Sequence, residues 1–332
     1  MLEFLLIPVL AKPLWMWIGF AIIVVALLAF DLGVLHKESK EISVRESLLL
    51  SAFYIVMGVA FGAVVWWQIS PQAGLEYLTG YVIEKSLSMD NIFVIAMIFG
   101  YFGIPRAYQH RVLFWGILAV ILLRGLMIGV GAALVQQFSW VLYIFAAFLV
   151  ITGVKMIWAA DKEYDVASNP ILRFMRKRFR VTDELRGERF VVKEPNPATG
   201  RMETALTPLF LVLILVNVAD VIFAVDSVPA IFAITTDTYL VFTSNIFAIL
   251  GLRALYFALA AMVDRFAYLK YALAAVLIFI GSKIVVADML GIAKVPPAIS
   301  LGATFAILGA GVAWSLWKTR NAPPALAREG AE

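Results

Sequence analysis

The sequence predicts an all-α polytopic membrane protein of about nine transmembrane helices, built around an inverted 3+3 repeat. Three observations predict it. Of the 332 residues, 63% are hydrophobic and only 15% charged, where a soluble chain carries about a quarter charged residues. The apolar residues fall into blocks of about 20, the length of a bilayer-spanning helix. Two sets of three blocks also match in sequence, each opening with two carboxylates six residues apart.

The first span is predicted over Trp15 to Gly33, with Asp31 near its end. It is too long for a signal-peptide core and lacks a clear small-x-small cleavage site, so it reads as retained. The second covers Leu48 to Trp67 and closes on the interfacial pair Trp66-Trp67. The third, Leu78 to Phe99, holds Glu84-Lys-Ser-Leu-Ser-Met-Asp90-Asn91. The fourth covers Val112 to Val135 with Arg124 inside, and the fifth Trp140 to Trp158 with Lys155 near its end.

A polar segment, Asp161 to Thr204, follows. Asn169-Pro170 reads as a helix N-cap and first-turn proline. Ile171 to Arg180 mixes apolar and basic residues, as a helix on an anionic membrane surface would, or as a solvated basic connector. Arg189 to Lys193 and Pro195 to Gly200 suggest a small hairpin.

The sixth span, Leu206 to Ile234, holds Asp220-Val-Ile-Phe-Ala-Val-Asp226-Ser227. The seventh is Tyr239 to Met262 with Arg253. The eighth is Tyr268 to Leu290 with Lys283. The ninth is Pro297 to Trp317, before a tail with Pro323-Pro324 that reads as disordered.

The chain then divides into peripheral spans (1–77), a first repeat (78–158), a cytoplasmic loop (159–205), an inverted second repeat (206–290), and the ninth span with the tail (291–332). Lys37, Lys40, Arg45, Arg106, Arg111, Arg265, Lys270, Lys318, Arg320 and the arginine-rich 161–204 segment fall on one side of the membrane. The other side offers only Lys12 and Lys294. That bias puts the N-terminus outside and the C-terminus in the cytoplasm. The net charge of +4 comes from these loops and gives no reason to expect nucleic acid. The absence of cysteine removes thiolate metal sites and disulfides, and His36 and His110 fall in predicted loops, away from a buried zinc site.

Arg124 in the fourth span matches Arg253 in the seventh. Tyr143 to Lys155 matches Tyr271 to Lys283 without a gap. Three spans per copy reverse the direction of the second copy, an arrangement common in secondary transporters, whose substrates bind near the midplane. Intramembrane acids mark ion pathways by default. Glu84, Asp90, Asn91, Asp220, Asp226 and Ser227 are therefore the candidate cation ligands. Ser88, Asn217, Asp31 and the Val225 carbonyl are possible additions, since Pro229 cannot donate to that carbonyl.

Such oxygens select hard cations: Mn²⁺, Mg²⁺ or Ca²⁺. Residues six apart differ by about 240° around a straight helix. Either the helices break between the acids, as Pro229 favours in the second copy, or the acids sit at different depths of one pathway. Arg124 and Arg253 read as gates, counter-ions or structural partners. The plainer reading pairs the acids with Lys85, Arg124 and Arg253 as internal salt bridges. Lys155 and Lys283 read as snorkelling or paired, and Met89 as packing.

At Leu78 to Asn91, Gly153 to Met156, Asp220 to Ala230 and Thr243 to Arg253, the chain resembles the TerC family, most closely its Alx-type members. The resemblance runs through nearly all of the chain. It implies an inner-membrane protein related to the LysE-type transporter superfamily that exports manganese, with links to tellurite resistance and to supplying metal to exported enzymes. It maps the family's acidic residues onto Glu84, Asp90, Asp220 and Asp226. The chain departs at Asn217, where the resemblance leads one to expect glutamate, and that lowers the local negative charge.

The expected function is thus Mn²⁺ export with protons as counter-ion, with no resident cofactor and no enzymatic activity. The alternatives are a Ca²⁺ or broad divalent-cation exchanger, and a membrane scaffold for tellurite resistance or metal delivery. An intramembrane aspartyl protease is disfavoured, because no Gly-Asp dipeptide occurs.

Overall fold

A computed structural model describes residues 6–10, 12–35, 44–158, 166–195, 200–260, 266, 268–291 and 295–320. His36, Lys37, Lys40, Asp161, Arg265, Lys294 and the predicted disordered tail lie outside the described residues. The described chain is a helical bundle with two small hairpins. Its helices are α1 (Leu14–Leu35), α2 (Val44–Gln68), α3 (Pro71–Tyr101), α4 (Arg106–Gln137), α5 (Val141–Trp158), α6 (Pro170–Arg178), α7 (Pro208–Phe232), α8 (Thr238–Ile249), α9 (Leu252–Leu259), α10 (Leu269–Met289) and α11 (Pro297–Lys318).

Among the described residues, seven helices are long and apolar enough to cross a membrane, and eight if the bent pair α8–α9 is one span. The 31-residue α3 is not among them, because Glu84, Lys85 and Asp90 interrupt its apolar sequence. It nevertheless runs from one face of the bundle to the other. Its first turn lines a cavity with the α4–α5 and α7–α8 connections, while Phe99 packs with Val166 and Leu172 on the opposite face.

Local sequence sets the helix ends. Ser70 accepts from the Ala73 amide ahead of α3, with Pro71 in the first turn. Asn169 accepts from the Ile171 and Leu172 amides, and Pro170 opens α6 as expected. Asp237 caps α8 and binds Lys12 at 2.8 Å, which ties the N-terminal segment to the α7–α8 turn. At the other end of the bundle Arg111 binds Glu188 at 3.1 Å, which ties α4 to the polar segment. That segment forms an antiparallel hairpin of β3 (Val191–Pro195) and β4 (Met202–Leu206); a shorter one, β1 (Pro8–Val9) with β2 (Lys12–Pro13), precedes α1. Leu206 belongs to β4, so the sixth span starts two residues later than predicted, behind Thr207 and Pro208.

The predicted helix break near Pro229 is absent. The helix α7 is continuous from Pro208 to Phe232, because Pro229 falls in its last turn, where little helix remains to be broken. The break lies instead in the seventh span, where α8 and α9 meet at 41°. Gly251 supplies it with φ of +80°, and a Cβ there would sit 2.6 Å from the Tyr54 ring.

The helix α5 packs against α10. At their crossing a Cβ on Gly153 would meet the Ala274 carbonyl oxygen at 2.7 Å and the Ile278 side chain at 2.6 Å. A Cβ on Gly281 would meet the Ala146 carbonyl oxygen at 2.6 Å and the Val150 side chain at 2.9 Å. In the gap-free sequence match these are equivalent residues making reciprocal contacts.

Candidate functional site

The α3 and α7 helices cross at the centre of the bundle, and α4 and α8 close over the crossing. Arg124, 1% exposed, reaches into it from α4. Its Nε and Nη2 donate to Asp220 Oδ2 and Oδ1 at 3.0 and 2.9 Å. Its Nη1 donates to Glu84 Oε1, and also to Ser227 Oγ and Asn245 Oδ1, both at 3.2 Å. Asn245 donates in turn to Glu84 Oε2 at 3.1 Å, and Asn91 donates to Asp220 Oδ1 at 3.2 Å. Every carboxylate oxygen of Glu84 and Asp220 thus accepts a hydrogen bond.

Buried charge is tolerated only when paired and hydrogen-bonded. With both carboxylates ionised, one guanidinium leaves this cluster one negative charge in excess. The pairing is also reciprocal: Glu84 meets Ser227 while its counterpart Asp220 meets Asn91, the counterpart of Ser227.

Asp90 and Asp226 stand outside this cluster. The Asp226 carboxylate accepts from Thr152 of α5 at 3.1 Å and feels Lys155 of the same helix. Asp90 feels Lys270 of α10. The helices are unbroken between the acids, so the azimuth argument separates each pair: one member turns to Arg124, the other to α5 or α10. The four acids therefore do not share one shell here, and among the described residues no group of three His, Cys, Asp or Glu side chains is placed to hold a metal ion.

Of the possible additions, Ser88 donates to its own helix at the Glu84 carbonyl, 2.8 Å away. Asn217 likewise donates to the Leu213 carbonyl at 2.7 Å. Val225 is on the exposed side of α7. Met89 packs in an apolar cluster with Ile83 and Leu277. Lys85 donates to the Ala248 carbonyl at 3.1 Å. That places its ammonium at the C-terminal end of α8, where freed carbonyls favour a cation.

Asp31 is buried and pairs with Arg253 through its side chain at 2.8 Å and its carbonyl at 2.9 Å. Arg253 also lines a cavity of about 20 Å³ with Asn91 and Asp220, room for about one water. A larger cavity of about 780 Å³ opens at one face, lined by Glu76, Lys283, Asp288 and Ser300 among others. Glu76 precedes Glu84 by eight residues, about 12 Å along α3.

Asn245 and Thr152 were not singled out in the sequence, although Asn245 lies within the stretch that carries the family resemblance. The available signal was a polar run, Thr243-Ser-Asn245, inside an apolar span.

A profile of the Integral membrane protein TerC family matches residues 69–322. A membrane protein of Myxococcus xanthus is 46% identical over 308 residues, 93% of this chain and 94% of its own. A membrane protein of Rickettsia felis is 46% identical over 300 residues, 90% and 97% of the two chains. A protein of Escherichia coli (strain K12), named as a candidate membrane-bound redox modulator, Alx, is 46% identical over 303 residues, covering 88% and 91%. No solved structure matches the chain. On a family profile spanning most of its length and relatives of this identity, the chain belongs to the TerC family of integral membrane proteins.

Proposed function

We propose that this protein is a secondary transporter of the bacterial inner membrane that exports Mn²⁺ in exchange for protons. One observation carries the reading. Two carboxylates share a single arginine, buried where α3 and α7 cross in the centre of a membrane bundle. A purely structural bridge needs one acid for one arginine; the surplus acid costs stability unless it serves a cation. Asp90 and Asp226 provide flanking carboxylates on the α10 and α5 sides, where an ion can be held before or after the central level.

Reciprocal contacts support the alternating-access part of the reading. Gly153 and Gly281 make matching contacts, and so do the pairs Glu84–Ser227 and Asp220–Asn91, as an inverted repeat would lead one to expect. Inverted repeats of this kind move against each other around a midplane site. The charge bias of the loops supports an orientation with the 166–207 segment in the cytoplasm and the 780 Å³ cavity on the outer face.

The redox role in the names of the Alx relatives fits the same activity, since exporting a redox-active metal changes the redox chemistry available inside the cell. This chain has no cysteine through which to act on thiols.

The test is Mn²⁺ flux into liposomes that contain only this protein, with an imposed proton gradient. Flux is expected from the wild type and lost in a folded Asp90→Asn, Asp226→Asn double variant. Full flux in the double variant rejects the acidic pathway. No flux in the wild type favours the scaffold reading, and equal flux of Ca²⁺ makes the protein a broad divalent-cation exchanger.

A further inference from the structure

We infer that Arg124 is a tethered cation that occupies the transport site itself and must be displaced before a divalent ion can bind there. The inference rests on the transport reading above and concerns how that site is regulated.

The atoms that Arg124 holds are those a hard cation would want. Three of the four carboxylate oxygens of Glu84 and Asp220 accept from its guanidinium, and so do Ser227 Oγ and Asn245 Oδ1. Carboxylate, amide and hydroxyl oxygens are the ligand types of Mn²⁺, Mg²⁺ and Ca²⁺. Asn245 links the guanidinium to the acid it neutralises. Its Oδ1 accepts from Arg124 while its Nδ2 donates to Glu84. A metal ion drawn to Oδ1 would lie against the guanidinium, and two cations that close in a buried site repel strongly.

Charge leads to the same conclusion. With both acids ionised and Arg124 in place, the cluster carries one negative charge. A divalent ion added beside it would leave a net positive charge, with two cations side by side in a site 1% exposed at Glu84 and Arg124. A divalent ion in place of Arg124 exactly balances the two carboxylates. The low-energy occupants are therefore the arginine or the ion, one at a time. Such a tether keeps the emptied carboxylates paired and blocks leakage of other cations through the crossing of α3 and α7.

The experiment is calorimetric titration of the purified, detergent-solubilised protein with MnCl₂. Two variants are compared with the wild type, each first shown to be monodisperse. Arg124→Gln removes the competing charge. Arg124→Lys keeps the charge but loses the planar fork that bridges both acids, and it is the variant more apt to fold. Both are expected to bind Mn²⁺ at least tenfold more tightly than the wild type, Gln more than Lys, while losing net Mn²⁺ flux in liposomes. Unchanged or weaker binding in whichever variant folds overturns the inference and makes Arg124 an organiser of the ligands; wild-type flux would then leave the transport reading standing. Absence of both Mn²⁺ binding and flux in the wild type removes the transport reading, and the inference with it.

Discussion

At the scale of single residues, the spacing of charge around each helix decides what each acid does. Glu84 and Asp220 face inward and are held by Arg124, while Asp90 and Asp226 face other helices. The two groups should differ in stability effect. Asp226→Asn keeps an acceptor for Thr152 and should change stability by less than about 1 kcal/mol. Asp31→Ala strands the guanidinium of Arg253 in the interior and should cost about 3–5 kcal/mol. The Asp31→Ala, Arg253→Ala double variant should cost clearly less than the sum of the two single changes. Denaturant unfolding in detergent measures all of these. Strictly additive costs would show that the two side chains are not coupled. The sequence indicated that both arginines need partners, but it left open which acid each one meets, because the pairing runs between helices far apart along the chain.

At the scale of elements, glycines mark where backbones must bend or touch. Gly251→Ala puts a side chain on a backbone with φ of +80° and against Tyr54. It should destabilise by about 1–3 kcal/mol, read as a lower melting temperature. Gly153→Val and Gly281→Val press on a carbonyl oxygen that has no rotamer to retreat into. The two variants should lose stability and flux to similar extents. A large difference between them would argue against reciprocal packing of α5 and α10. These glycines were visible in the sequence as a matched pair, but their contact was not. Gly251 precedes the Leu-Arg-Ala-Leu run containing Arg253 and gave no sign of breaking the span, whereas Pro229, the stronger breaker by type, sits where the helix ends anyway.

At the scale of the whole molecule, ion pairs at the two ends of the bundle fix which connections share a face. Lys12 with Asp237 marks one face and Arg111 with Glu188 the other. The chain has no cysteine, so single cysteines report sidedness cleanly. Ser139→Cys, at the rim of the large cavity, should react with an impermeant maleimide in intact cells. Phe174→Cys, on the exposed side of α6, should react only after permeabilisation. The reverse pattern would invert the orientation.

Hydropathy by itself determined that this is a helical membrane protein and where nearly every span lies, because the bilayer demands long apolar segments with internally satisfied backbones. It also pointed to the acids, since charge in such segments is costly. Tertiary structure alone decided that two of those acids are bridged by Arg124 and Asn245 while the other two look elsewhere. Hydrogen bonds across a helix crossing depend on rotation and depth, and neither is written in the composition of any one span.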